Sequence, residues 1–231
     1  QRDPNYYNYI PLVEEDSSIF KQKLTGINTS RDAWVYGFNK NCVIENVHRM
    51  VDNYNKEVDR LKNIIDSKQK LEKINRDGSY INWSRSLRNK FSKNEKISVS
   101  NENIILSMYR PFVKKWLFYD RNVIEMPGRY HNMKLNNTPI LATTGKGVKR
   151  DFSALVTMYY PNFHLMDTGQ NYFLGQYQTS GLLEGDFVTN VDSQFKNKLS
   201  VINDIDVLYY IYALFHSSEY RSRYKHELTK D

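Results

Sequence analysis

Positively charged side chains gather in two places in this sequence, and their spacing suits an anionic partner. Residues 81 to 96, INWSRSLRNKFSKNEK, carry Arg85, Arg88, Lys90, Lys93 and Lys96 against one acid, Glu95. GKGVKR carries Lys146, Lys149 and Arg150. Clustered cations neutralise phosphates and release counterions, so both clusters are candidate phosphate contacts; a solvated helix face and a solvated turn are the plainer alternatives. A third stretch, PGRYHNMKLNNTP (Pro127 to Pro139), is a polar loop whose side chains could reach base edges. Arg is bidentate to guanine and Asn to adenine, which makes Arg129, Tyr130 and Asn132 the base-reading candidates, while Lys134 offers only a point charge that suits a phosphate. Arg129 has a simpler option too, an ion pair with Glu125.

Catalytic patterns are missing from the sequence. The histidines (His48, His131, His164, His216, His226) form no H-x-x-x-H pair and have one cysteine, Cys42, to join them, so no metal site is expected. TTGKGVKRD (Thr143 to Asp151) invites comparison with a phosphate-binding loop, but G-x-x-x-x-G-K-[ST] is absent because Gly147 follows Lys146. No G-x-S-x-G elbow is present, no Gly-rich turn follows a strand, and the acids are spread singly, so no two-metal carboxylate cluster can be assembled. The residues describe a binder with no catalytic side chain. Two alternatives remain: a nucleic-acid-acting enzyme domain with dispersed carboxylates, and a protein-interaction module docking through a helix at Val47 to Ile65.

Composition agrees with a charged partner. The 231 residues carry a formal charge of +7 and 40% hydrophobic residues, enough apolar side chains for a core and a basic excess that favours a polyanion. One cysteine permits no intramolecular disulfide; Cys42 is expected to be a small buried hydrophobe and the chain cytoplasmic. No apolar run reaches the ~18 residues of a membrane span, and the first residues lack the layout of a signal peptide, so no membrane partner is expected.

The elements that must hold these residues can be read from periodicity. DAWVYGFN (Asp32 to Asn39) has strand-type residues. Val47, Val51, Tyr54, Val58, Leu61 and Ile65 alternate spacings of four and three, which predicts a helix from Val43 to about Lys73 with Lys56 on its solvated face. RDGS (Arg76 to Ser79) is a turn. Ser84 is positioned to cap a short helix anchored by Leu87 and Phe91, leaving Arg85, Arg88 and Lys90 outward. SNENIILSMY predicts another short helix near Asn101, stopped by Pro111, and KWLFYDRNVIEM a hairpin turning at Asp120 to Asn122. In YRPFVKKWLFYDRNVIEMPGR, the aromatics Tyr109, Phe112, Trp116, Phe118 and Tyr119 are expected to form the core of that hairpin and of the turn leading into it. Strands follow at TPILAT, FSALVTMYY, NFHLMD and NYFLGQY. Two helices close the chain: IDVLYYIYALFH, capped by Asn203 or Asp204 and facing inward with Leu208, Ile211, Tyr212 and Phe215, and EYRSRYKHEL, capped by Ser217 or Ser218. The fold class is α+β, a mixed central β region with a long helix in the N-terminal half and C-terminal helices packed around it. Residues 1–231 read as one domain, with a helical sub-region at 41–110.

Several of these stretches agree on one family. INTSRDAWVYGFNK (Ile27 to Lys40), INWSRSLRNKFSKNEKI, MYRPFVKKWLFYDRNVIEMPGR, KRDFSALVTMYYPNFHLMDTGQNYFLGQY and YYIYALFHSSEYRSRYKHEL resemble, in that order, the C-terminal specificity region of type ISP restriction-modification enzymes. Those enzymes join a nuclease, a helicase-like ATPase, an adenine-N6 methyltransferase and a target recognition domain in one polypeptide. The N-P-P-Y tetrapeptide of the methyltransferase and the nucleotide-binding motifs of the helicase do not occur here. The resemblance therefore implies the recognition module alone, a fragment of a larger polypeptide. Its implied partners are double-stranded DNA and the methyltransferase and helicase-like domains of the same chain. It implies no cofactor in this fragment, with S-adenosylmethionine, ATP and Mg required only by the other domains.

Overall fold

The computed structural model describes residues 4, 10–13, 18–128, 130, 133–134, 138–145, 148, 150–167, 169–178, 186–200 and 203–230, with backbone alone at 133, 134, 229 and 230. In chain order the elements are β1 (Leu24–Thr25), α1 (Asp32–Val35), β2 (Tyr36–Gly37), α2 (Lys40–Leu61), α3 (Ser67–Glu72), α4 (Arg85–Ser92), β3 (Ile104–Arg110), β4 (Val113–Phe118) and β5 (Met133–Lys134). They continue with β6 (Ile140–Thr143), β7 (Ala154–Thr157), β8 (Tyr160–Pro161), β9 (Gln170–Phe173), β10 (Gln176–Gln178), β11 (Phe187–Thr189), α5 (Ser193–Leu199), α6 (Asp204–His216), α7 (Ser218–Arg223) and α8 (Lys225–Lys230). This is the α+β class read from the sequence. Two compact units share the chain: a terminal unit of Gln1–Ile27, Met108–Val113 and Gly128–Asp231, and an inserted unit of Asn28–Ser107 and Lys114–Pro127.

The inserted unit is built on α2. Asn39 caps it by accepting from the backbone N–H groups of Asn41 and Cys42 at 2.9 and 3.2 Å. The predicted stripe is buried at Val47, Val51, Tyr54, Val58 and Leu61, and Lys56 is exposed. The stripe ends sooner than its spacing suggests. Asp66 starts a new helix by accepting from the Gln69 N–H at 2.7 Å, so the helical phase is lost after Leu61 and Ile65 is 98% exposed. Cys42 is exposed on the first turn of α2 and not the buried hydrophobe expected of it. DAWVYGFN divides between α1 and the two residues of β2, which pair antiparallel with β4 (Tyr36↔Leu117, Gly37↔Trp116).

The hairpin lies one element earlier than the sequence suggests. SNENIILSMY forms strand β3 where a helix is expected; β-branched Ile104 and Ile105 fit the pleat, and the Tyr119 N–H closes on the Asn103 carbonyl at 2.6 Å. The turn is therefore Pro111–Phe112. At Asp120 the chain does turn, with Asp120 Oδ1 accepting from the Asn122 N–H at 2.7 Å, but no paired strand follows; the next sheet contact is the single bridge Asn28↔Met126. Leu117 and Phe118 are buried as the hairpin core requires.

In the terminal unit the strands β1-β9-β6-β7 form an antiparallel sheet, with registers Leu24↔Asn171, Ile140↔Phe173 and Ile140↔Thr157. All of β6 is buried, because its alternate side chains serve two clusters. Leu141 packs with Phe20, Tyr172, Phe195, Leu208, Ile211 and Phe215; Ala142 packs with Leu165 and Met166. A second, three-stranded sheet has the order β11-β10-β5. NFHLMD is a turn and not the strand its residues suggest. Buried Asn162 accepts the His164 N–H on its Oδ1 at 2.9 Å, a local bond that competes with strand pairing. The segment returns to the sheet through Gly169, where a Cβ would stand 1.9 Å from the Thr143 carbonyl oxygen, so only glycine fits. α6 turns Leu208, Ile211 and Phe215 inward, and Ser217 caps α7 by accepting the Tyr220 N–H at 3.3 Å.

Candidate nucleic-acid interface

The first basic cluster is carried by α4. Ser84 caps its N-terminus, Leu87 and Phe91 are fully buried, and that pair fixes which way the rest of the helix faces. Arg85 and Arg88 are exposed, and neither side chain has a hydrogen-bond or ion-pair partner among the described residues. The other three cations of the cluster are engaged. Lys90, half-buried, donates to Asn122 Oδ1; Lys93 lies 3.9 Å from Glu95; Lys96 pairs with Asp59 at 2.9 Å.

A buried polar network sets the angle of α4, and its central residue carries no signal in the sequence. Arg31 is 1% exposed and donates to the Val123 carbonyl, to Ser84 Oγ and, at 3.3 Å, to the Asn82 carbonyl. Burial pushes its guanidinium down to about 10, against the attraction of Glu125. Glu125 accepts the Ser86 N–H at 3.1 Å and also the Ser86 hydroxyl, placing a carboxylate on the first turn of α4 where the helix dipole favours it. Burial alone would raise the Glu125 carboxyl; the hydrogen bonds from Ser84 and Ser86 and the charge of Arg31 outweigh it and hold it below its ordinary value. Lys70 is a second cation spent inside the unit. Its Nζ donates to the Phe91 carbonyl at 2.7 Å and to Asn94, and burial lowers its pKa.

The same unit has a second basic surface, where aromatics and lysines interleave. Lys115 Nζ lies 5.1 Å from the ring centre of exposed Phe38, and Lys40 Nζ lies 5.4 Å from that of Trp116. The two pairs come from positions more than seventy residues apart, and pairing of β2 with β4 brings them together.

Of the second cluster, Lys146 and Lys149 lie outside the described residues. Arg150 is exposed in the terminal unit, with its Nε 3.5 Å from Asp167 Oδ2. It lines a cleft of about 350 Å3 together with Arg110, Pro111, Thr144, Ser153 and Asp167. Of the base-reading candidates, Arg129 and Asn132 also lie outside the described residues. Tyr130 is 1% exposed, and its hydroxyl donates to the Thr25 carbonyl at 3.0 Å. A hydroxyl buried in that way has no route to a base, so Tyr130 belongs to the core and not to a reading surface. Among the described residues no three His, Cys, Asp or Glu side chains come together to hold a metal ion, and no helix is long and apolar enough to cross a membrane.

The fold can be placed among known proteins. The model of the type ISP C-terminal specificity domain matches residues 18–231, and the chain belongs to that family. Its structure is similar over its whole length to that of a nuclease-deletion mutant of the type ISP restriction-modification enzyme LlaGI in complex with a DNA substrate mimic, with 37% identity and a TM-score of 0.85. The ATP-dependent type ISP restriction-modification enzyme LlaBIII bound to DNA is similar at 26% identity and a TM-score of 0.82. The DrdV–DNA complex shares the fold at 21% identity and a TM-score of 0.86. The chain spans 21% of the LlaGI chain, 15% of the LlaBIII chain and 24% of the DrdV chain. No curated protein matches it.

Proposed function

We propose that this chain is the DNA target-recognition domain of a restriction-modification enzyme, gripping phosphates of double-stranded DNA through basic surfaces and reading base pairs with a few side chains. The observation that carries this reading is the 37% identity, over the whole chain, with an enzyme solved on a DNA substrate mimic. Arg85 and Arg88 on α4 are the phosphate contacts we place first, since they are exposed cations held on a rigid helix without a described partner of their own. Arg150, Lys146 and Lys149 are phosphate contacts of the terminal unit in the same reading, and Lys90 and Lys93 are secondary ones because Asn122 and Glu95 already hold them. Arg129 and Asn132 are its base-reading residues. This region performs no catalysis; methyl transfer and ATP-dependent restriction belong to methyltransferase and helicase-like domains of the parent polypeptide, which would bind S-adenosylmethionine, ATP and Mg. The assembly works on DNA in the cytoplasm.

Replacing Arg85 and Arg88 together with alanine in the full-length protein tests the reading. Binding to all duplex sequences weakens alike, and the slope of log affinity against log salt falls by about 2, because two fewer phosphates are neutralised. An unchanged slope removes the α4 face from the interface, and a parent protein with no salt-dependent affinity for duplex DNA overturns the function itself.

A further inference from the structure

The hairpin turn between β3 and β4 breaks two rules of stability at one residue. Phe112 is 93% exposed, although it belongs to an aromatic-rich segment expected to form a core. Its φ is +64°, a left-handed conformation that costs a bulky L-residue free energy and that turns normally assign to Gly or Asn. Pro111 before it, with φ fixed by its ring, completes the sign pattern of a type II turn, in which Gly is the usual second residue. Neither the burial of apolar surface nor the turn geometry explains a phenylalanine here. Such a departure marks a position held for contact with something outside the chain.

The surroundings within the terminal unit suit base pairs. Arg110 and Pro111, the two residues before Phe112, line the cleft of about 350 Å3. The guanidinium of Arg110 is stacked 4.1 Å from the Tyr109 ring centre, and among the described residues it donates through Nη1 to the Tyr109 carbonyl at 2.6 Å and to Asn162 Oδ1 at 2.8 Å. The group is thus oriented in advance. Arg150, Asp167, Thr144 and Ser153 line the same cleft. Donors that match guanine, a carboxylate that matches the cytosine amino group, hydroxyls that serve either, and an apolar ring suited to a thymine methyl group or a sugar are the set with which proteins read duplex edges.

We infer that the Arg110–Phe112 hairpin tip and the adjoining cleft form a base-reading element, with the Phe112 ring packed into a groove of duplex DNA and the cleft facing the base edges beside it. This rests on the proposed function and adds a reading site that the polar segment at 127–139 did not suggest. The ligand is the groove surface of double-stranded DNA. A phosphate contact alone would not need an exposed aromatic ring.

The test uses the full-length protein carrying Phe112→Gly or Phe112→Asn, two residues that accept the positive φ and lack the ring. Parent and variants are each used to capture duplexes from a pool with a randomised central segment, the captured DNA is sequenced, and affinity is measured for the sequence that the parent enriches. Both variants are expected to melt no lower than the parent, to bind the enriched sequence about tenfold more weakly, to lose preference at one or more base pairs, and to bind unrelated duplex within about twofold of the parent. Stability and recognition moving apart in this way is what a residue held for contact predicts. If the variants enrich the same sequence with the same affinity, the hairpin tip is not a reading element. Unchanged DNA selection with a lowered melting temperature would instead assign the ring to packing against protein, which equally overturns the inference. A parent that enriches nothing and shows no salt-dependent binding overturns the proposed function, and this site with it.

Discussion

The two units differ sharply in how they carry charge. The inserted unit holds 18 basic and 12 acidic residues, and the terminal unit 15 and 14, so nearly all of the net charge of +7 belongs to the former. Its surfaces accord with that excess: Arg85 and Arg88 on α4, and lysines set over the rings of Phe38, just after β2, and Trp116, on β4. The terminal unit, close to neutral, presents a cleft lined by Arg110, Arg150 and Asp167. An uncompensated basic face attracts any phosphate, whereas a cleft of mixed donors and acceptors distinguishes one base edge from another. On the proposed reading, the contrast divides a gripping surface from a reading surface, and it can be tested from several sides.

The largest expected effect concerns the scaffold of the gripping surface. Val58→Asp puts a carboxylate among the buried residues of α2 and should cost about 4 kcal/mol or more, unfolding the inserted unit, while Lys56→Asp on the exposed face of the same helix leaves the melting temperature close to that of the parent. Hydrogen exchange resolved by peptide would show protection disappearing across residues 28–107. Equal melting of both variants would mean that α2 does not pack through Val58.

Arg31→Met comes next. It leaves the Val123 carbonyl without its donor and Glu125 without the nearby positive charge, at a cost of about 3 kcal/mol. Urea denaturation measures the loss. DNA binding should fall as well although Arg31 touches no solvent, because α4 is positioned through Ser84 and Glu125. A variant as stable as the parent would make the network incidental.

The smallest effect is a pH dependence. Glu57 and Glu125 both lie in the inserted unit, and both are held below the ordinary value of 4.5. For Glu57, burial acts to raise the value, and the hydrogen bonds from Arg60 and the Asn75 N–H, with the Arg60 charge, more than reverse it. A carboxylate depressed in the folded protein contributes stability that is complete above its unfolded value and is lost as the pH falls through its folded value. The inserted unit should therefore weaken on acidification from about pH 4.5 downward. Glu125→Gln should flatten that dependence, which melting temperatures recorded between about pH 3 and 6 would reveal; an unaltered profile would take Glu125 out of the linkage.

Some of this protein is legible without its structure. α4 is predictable with its cap and both anchors because the information is local: Ser84, Leu87 and Phe91 lie within a few residues of one another and a helix repeats every 3.6. The stripe of α2 is readable for the same reason as far as Leu61, and the basic clusters are visible as runs of charge. The family resemblance, too, rests on contiguous segments such as INWSRSLRNKFSKNEKI and MYRPFVKKWLFYDRNVIEMPGR, and the match to the specificity-domain model bears it out.

Pairings between distant residues decided the rest. Whether Ile104 to Arg110 is a helix or a strand depends on β4 lying beside it, and moving the hairpin turn to Pro111–Phe112 is what turns one aromatic out of the core. Asn162 and Asp66 each override a local pattern with one side-chain bond to the backbone. Tyr130 looks like a reader among polar neighbours and is buried because the Thr25 carbonyl, more than a hundred positions away, receives its hydroxyl. Arg31 stands as a single basic residue in an ordinary segment, and folding surrounds it with carbonyl and hydroxyl oxygens from two other segments, at Asn82–Ser84 and at Val123. The sequence by itself determined which residues carry charge and which short segments repeat with a helical period; the tertiary structure alone decided which charges are used up inside and which remain outside, since burial depends on neighbours that the chain supplies from far along its length.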